Sequence, residues 1–354
     1  MNSQRFIQPF KTLKSKLADR YAGWSDDVEG ERPWLKWIFL LIVIFMLLMS
    51  VWGWFKSQEP DLFDVHARAL MYVSVEEVDI KGVATVVSLL GIMDTMLDGY
   101  VSNDILPPGV WLDNRANWEF GALVQVRDLS KAMREKYSRS QSQSVEDKAL
   151  QLAEPRYNFD NASWIMPSTE KEYRAAMGYT KDYLQRLVDG DRQTAQFYAR
   201  ADNLNDWLAT VESRLGSLSQ RLSASVGQKR LNTDLAGDSS ASQSTVTPGE
   251  TEIKTPWTEI DDVFYEARGT SWALIHILRA AEIDFGSVLD KKNARVSVQQ
   301  IIRELESTQE SVLSPVILNG SGFGFLANHS LVMGGYIARA NAAIINLRHL
   351  LAEG

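Results

Sequence analysis

The stretch RGTSWALIHILRAAEIDF holds the residues best placed to do chemistry. At 100° per residue on a helix, Arg268, His276, Arg279 and Glu282 fall within roughly 120° of one face. That face is otherwise apolar. Two readings fit. As a site, the arginines would draw an acidic ligand, and His276 or Glu282 would serve as general acid or base. As structure, Arg279 and Glu282 would pair at i,i+3 and fix helix packing. A second set lies in WLDNRANWEFGAL, where Asp113, Asn114 and Glu119 sit beside Trp118. Two carboxyls flanking a sugar bond are what glycoside hydrolysis needs. Arg339, in VMGGYIARANAAIINL, is expected to pair with a carboxylate such as Asp94 or Glu119.

The segment ILNGSGFGFLANHS, residues 317–330, invites a phosphate cradle or a nucleophile turn. A nucleophile elbow requires G-x-S-x-G, but Asn319 and Phe323 flank Ser321. A dinucleotide fingerprint requires a βαβ setting, and no parallel-sheet pattern surrounds Gly320, Gly322 and Gly324. The simpler expectation is a bend. Asn319, Gly320 and Gly322 tolerate positive φ, and Asn328 or Ser330 begins the last helix. Phe323 and Phe325 are expected to bury. The chain has 4 histidines and 0 cysteines. No two histidines stand at i,i+4 and no H-E-x-x-H occurs, so neither a metal nor another cofactor is expected. No catalytic motif is found, and the chain is read as not an enzyme.

These residues sit in a pattern that is helical almost throughout. Candidate helices cover about 65–77, 82–98, 117–137, 144–154, 169–188, 192–226, 260–289, 297–312 and 327–351. Turn chemistry falls between them. No alternating run long enough for a sheet is present. The apolar stretch Gly82–Met93 has the length of a buried core helix rather than a span. Phe197, Ala201, Leu204, Leu208, Val211, Leu215, Leu218 and Leu222 step by four and three, a heptad seam. Its flanking positions lack complementary charges, so a specified parallel dimer is not supported. The seam packs on another helix of the same chain, or it serves self-association or a partner.

Composition changes after the seam. Residues 227–256 are rich in Ser, Thr, Gly and Asp and read as a flexible linker. It separates a helical region at 60–226 from another at 257–354. Both can still pack as one body, because a long loop adds little closure entropy.

The N-terminal part reads as a membrane anchor. Residues 34–55, WLKWIFLLIVIFMLLMSVWGWF, include nineteen uncharged residues from Trp37 to Phe55. As a helix those span roughly 28 Å, close to a bilayer's hydrocarbon core. Trp34 and Trp37 at one end, and Trp52 and Trp54 at the other, suit the two interfaces. A cleaved signal peptide fits poorly, given the long leader and the missing A-x-A site. Seven Lys/Arg precede the span and only Lys56 and Arg68 follow closely. The positive-inside rule puts the basic tail, 1–33, in the cytoplasm and the rest outside. Phe6, Phe10, Leu13 and Leu17 recur at helical spacing in that tail, which suits a basic amphipathic helix or a disordered topology signal. The net charge of −8 argues against a nucleic-acid binder.

As a set, NWEFGALVQVRDL, TEIDDVFYEARGTSWALIHILRA, IIRELE and ILNGSGFGFLANHSLVMGGYIARANAAIINLR, with the anchor before them, are familiar. They resemble a family of single-pass inner-membrane proteins of Gram-negative bacteria that is classed as a domain of unknown function. The resemblance runs from the anchor to the C-terminus, except the linker. It implies a bacterial envelope location and no particular activity.

The resulting expectation is an all-α protein: one transmembrane helix, then a mainly helical periplasmic bundle containing a long helix of heptad character. It would act as an envelope scaffold or adaptor. Its partners would be the lipid bilayer, through residues 34–55, and another protein or a second copy, through Leu204, Leu208, Val211, Leu215, Leu218 and Leu222. The alternative is a periplasmic hydrolase or ligand-binding module acting on cell-wall glycan or an acidic small molecule.

Overall fold

The computed structural model describes residues 33–141, 143–190, 195–231, 250–314 and 316–353. The basic tail with Phe6, Phe10, Leu13 and Leu17 lies outside the described residues, as does 232–249 of the linker. The chain divides into two compact units, Met1–Phe55 and Lys56–Gly354.

The first unit contains α1, Pro33–Ser57, which runs on into the first residues of the second. Proline suits the first helical turn, where its missing N–H would have had no partner. Within Trp34–Ser57 the most apolar eighteen residues have a mean hydropathy of 2.6, and nearly all of the helix's side chains are exposed. This is the one helix among the described residues long and apolar enough to cross a membrane; a membrane anchor and a signal sequence share these properties.

The second unit is a helical body. Its elements are α2 (Val65–Ala69), α3 (Val83–Leu97), α4 (Asp113–Ala132), α5 (Lys148–Tyr157), α6 (Thr169–Val188) and α7 (Ala201–Ser223). There follow a ribbon of β1 (Gln228–Leu231) and β2 (Glu250–Ile253), then α8 (Ile260–Asp284), α9 (Gly286–Lys291), α10 (Arg295–Glu306) and α11 (His329–Ala352). Several starts follow from side-chain caps. The Asp64 carboxylate accepts from the Ala67 amide at 2.6 Å, and Asp147 accepts from Ala149 and Leu150.

Two pairings organise the body. α4 and α8 lie side by side with their N-termini at the same end, as Asn117 to Asp262 and Gly121 to Thr270 show. Glycines make this crossing close. A Cβ on Gly121 would stand 2.1 Å from the Glu266 carbonyl, and one on Gly269 would stand 1.9 Å from the Trp118 carbonyl. α7 runs antiparallel to α11, with Gly334 near Leu222 at one end and Arg348 on Glu212 and Asn205 at the other. Leu204, Leu208, Val211, Leu215, Leu218 and Leu222 are all buried. The seam therefore packs inside the chain and presents no stripe to a partner.

The regions 60–226 and 257–354 share one large hydrophobic core running from Ala69 to Leu351, and a small cluster of Val65, Ala84 and Ala280 also joins them. Differences from the sequence expectation are local. The helix expected over 192–226 begins at Ala201, so Phe197 is not on the seam. Instead the Tyr198 amide donates to the Tyr137 carbonyl at 2.6 Å, and the Phe197 ring packs against Tyr137 and Phe285. The same buried Phe285 breaks the helix expected over 260–289 into α8 and α9. The base of the linker is an antiparallel ribbon, Gln228↔Ile253 to Leu231↔Glu250, where no strand was expected. Four-residue strands whose side chains do not alternate between core and solvent leave no period to read.

The glycine segment is a closed bend. The Gly320 amide donates to Ala327 O and the His329 amide to Leu318 O, each at 2.9 Å. Asn328 caps α11, its side-chain oxygen accepting from the Leu331 amide at 2.8 Å. Gly322 has φ +84° and Gly320 has room for no side chain, with Leu326 O 2.1 Å from an added Cβ. Phe323 and Phe325 do not bury. Both rings are fully exposed, because the closing bonds lie at the neck and the tip between them reaches no core.

Candidate functional site

α8 carries the four polar residues Arg268, His276, Arg279 and Glu282; the last two meet α10, and the first two meet other segments. Arg268 is almost fully buried. Its Nε and Nη2 donate to the Glu59 carboxylate at 2.6–2.9 Å. Its Nη1 donates to the carbonyls of Thr308 and Glu310 at 2.9 and 2.8 Å. The planar guanidinium thus joins three segments and has few donors left over.

Two turns on, His276 is completely buried between aromatic rings, 3.7 Å from the Phe63 centroid and 4.5 Å from that of Trp272. Its Nε2 accepts from the Phe63 amide at 3.4 Å, and Nδ1 has no hydrogen-bond partner. Burial, and then the nearby Arg279 and Arg68, push its pKa down to about 3. The ring is neutral at pH 7 and walled off from solvent, which is poor placement for proton exchange with a substrate. Arg279 pairs with Glu306 of α10 at 2.7 Å. Glu282 accepts from Gln299 at 2.6 Å and lies 3.5 Å from Arg295. The expected Arg279–Glu282 pair is absent because α10 offers both groups better-placed partners. The four residues share a helical face without converging on one space.

The second set also separates. Glu119 is buried and accepts from the Val101 amide, the Ser102 amide and hydroxyl, and Arg115. Burial pushes its carboxyl above the ordinary value, and Arg115 and Ser102 oppose that. Asp113 stands exposed at the first turn of α4, and the Asn114 amide donates to it at 3.0 Å. One carboxyl pins a loop and the other faces solvent. Arg339 pairs with Glu304 at 2.8 Å, not with Asp94 or Glu119.

Asp284 is a further buried carboxyl that stands outside the two sets above. At the end of α8, its carboxylate accepts from the Gly82 amide at 2.8 Å and from the Thr85 amide and hydroxyl at 2.7 and 2.6 Å. It fixes the start of α3 at the far end of α8. Burial raises its pKa to about 6. The sequence signal was an acid ending an apolar helix beside an aromatic. Glu59, the partner of Arg268, gave no signal at all.

An open groove of about 680 Å³ runs between α4, α7 and α8, lined by Phe120, Val124, Gln125, Thr210, Arg214 and Glu266 among others. Its cations are answered in place. Arg214 is bound to Asp128 at 2.8 and 3.1 Å, and Arg221 to Glu266 at 2.7 and 2.5 Å. Among the described residues no group of three His, Asp or Glu is arranged to hold a metal ion.

The fold thus defines an all-α body joined to one N-terminal apolar helix. The chain belongs to the DUF2333 family, described as an uncharacterized protein conserved in bacteria, whose model matches residues 29–354. No curated protein and no solved structure matches it.

Proposed function

We propose that this chain is a non-catalytic scaffold or adaptor of the bacterial cell envelope, held in the inner membrane by α1. Its N-terminus lies in the cytoplasm and its helical body in the periplasm. The observation that carries this reading is the use made of its polar residues. Arg268, His276, Glu119 and Asp284 each hold separate segments together, and none faces a shared opening. The tryptophans at both ends of α1 and the excess of Lys/Arg before it support the anchor and its direction. The partner surface belongs to exposed parts of the body, because the α7 seam is buried.

Purification of the full-length protein from its own membranes in mild detergent, followed by mass spectrometry, tests the reading. A stoichiometric protein partner is the expected result. A protein recovered alone that releases muropeptides from cell-wall glycan would overturn it in favour of a hydrolase. Single cysteines, introduced into a chain that has 0 of its own, report topology. Labelling at Val296→Cys from outside the cell is expected once the outer membrane is permeabilised. Labelling there only after inner-membrane lysis would reverse the orientation.

A further inference from the structure

The exposed aromatics of the body are gathered at one end. Among the described residues after 55, the exposed tryptophans and phenylalanines are Trp111, Trp164, Trp257, Phe323 and Phe325. Trp118, Trp207 and Trp272 are buried. They come from four stretches far apart in sequence, and hydrogen bonds draw these together. Asn103 donates to Ser163 O at 2.9 Å, which joins the loop leading to Trp111 to the loop carrying Trp164. Asn117 donates to Asp262 at 2.7 Å, which sets the start of α4, just after Trp111, beside the start of α8, just after Trp257. The Thr255 amide donates to Ala224 O at 3.0 Å, and Asn319 donates to Ser225 O at 2.7 Å. Those bonds bring the bend with Phe323 and Phe325 to the same end. Among the described residues the opposite end exposes no tryptophan or phenylalanine; its exposed apolar residues include Val145, Ile283 and Val296.

The chain enters the body at this aromatic end. Lys56 directly follows Phe55, and its ammonium lies 3.3 Å from Asp104. Arg115 donates to Gln58 O at 3.2 Å, and Arg268 holds both Glu59 and Glu310 O. No spacer separates the last apolar residue of the span from this end, whatever angle the span adopts. An apolar surface of this kind marks an interaction site. Tryptophan in particular favours the headgroup layer, where its ring is buried and its N–H stays wet.

We propose that this end of the body rests in the interfacial layer of the membrane that α1 crosses, with Trp111, Trp164, Trp257, Phe323 and Phe325 among the lipid headgroups. The inference rests on the anchor reading above and adds a second, peripheral contact to it. Asp113, Glu259 and Asp261 stand near Trp111 and Trp257. The contact is therefore apolar and aromatic, and it does not depend on anionic lipid.

The test uses the full chain in nanodiscs of phosphatidylcholine, alone or with phosphatidylglycerol. Spin labels are placed singly through Trp111→Cys, Trp257→Cys, Phe323→Cys and Phe325→Cys. Val145→Cys and Val296→Cys serve as aqueous references, and Phe45→Cys marks the span. The readout is accessibility to oxygen against a water-soluble nickel chelate. The expected result is a shift toward oxygen at all four aromatic-end sites relative to Val145 and Val296, in both lipid compositions. Labels there as nickel-accessible as the references would overturn the proposal. Labels shielded from both reagents would overturn it too, since that marks cover by protein. Dependence on phosphatidylglycerol would do the same, replacing aromatic contact with charge attraction. An oxygen-accessible Phe45 label beside nickel-accessible body labels leaves the anchor standing and overturns the peripheral contact. A nickel-accessible Phe45 label refutes the anchor itself.

Discussion

Arg268 shows how a residue with catalytic looks becomes structural. Its cation is buried, and its donors match a carboxylate on one side and two carbonyls on the other. Breaking such a pair leaves the other charge without compensation. Arg268→Ala is expected to cost about 3 kcal/mol, the low end of the range for a buried pair, because Glu59 keeps some access to water. Arg268→Met with Glu59→Gln should cost less than the single change, because no charge is stranded. Denaturant melts of the full chain in detergent check both, and a single variant as stable as wild type would refute the tie. His276 and Asp284 carry opposite pH signatures. His276 titrates at about 3 when folded against 6.5 normally, so its stabilising share is lost as pH falls from 6.5 toward 3. Asp284 titrates at about 6 against 3.8, so its share is present below 3.8 and lost as pH rises through 6. Between pH 6.5 and 4, His276→Gln should therefore lose less stability on acidification than wild type, and Asp284→Asn should lose more. Melting curves at four or five pH values decide it; parallel slopes for all three proteins would refute the assignment.

At the scale of elements, the central question is how closely α4 and α8 can approach. Gly121 and Gly269 face backbone carbonyls at distances no Cβ could occupy. Either helix would have to move to admit a methyl group, and overpacking costs typically about 1–3 kcal/mol. Gly269→Ala is expected to lower stability by at least that much, despite alanine's better helix propensity. A stabilised variant would mean that the helices sit further apart. The buried seam gives a second expectation. Leu215→Ala should cost about 2–5 kcal/mol as a core truncation, and Leu208→Asp should prevent folding rather than detach a partner. Most of these helices were legible in the sequence because apolar positions recur at their period and Asp, Asn, Gly or Pro stands at their ends. The burial of the seam was legible as one of two readings, since a heptad names a face and not its neighbour. The partners of Arg279 and Arg339 were not legible, because α10 supplies both Glu306 and Glu304 from a distant stretch. Phe323 and Phe325 misled because aromatic residues near glycines read as core; their exposure follows from a neck that closes the loop before its tip can reach any. The candidate site was legible as a face of α8, but its dispersal among separate elements depended on pairings that no local pattern carries.

At the scale of the whole molecule, the linker cuts the sequence in two and leaves the core in one piece. α8 packs on α4 and α11 packs on α7, so each of the two main pairings joins a helix from before 232–249 to one from after it. Neither half can bury its apolar faces alone. α4 would expose Trp118, which packs on Trp272, and α7 would expose much of its seam. The β1–β2 ribbon holds the two ends of the linker in register, so the connection is closed at its base before the eighteen residues 232–249 begin. Loop closure contributes only slowly with length, by about 0.6 kcal/mol per doubling. The body therefore should not depend on that connection once folded. A protease site inserted at residue 240 and cleaved in the native protein is expected to yield two fragments that stay together through size exclusion in detergent. They should unfold in a single transition near that of the uncut chain. Separation of the fragments, or two independent melts, would show that 60–226 and 257–354 are distinct domains. Replacing 232–249 by Asn-Gly, the turn suited to a two-residue hairpin, isolates the ribbon. A melting temperature equal to or above wild type is expected, because the ribbon's register already fits a tight turn. A large fall would mean that the excised residues support the body themselves.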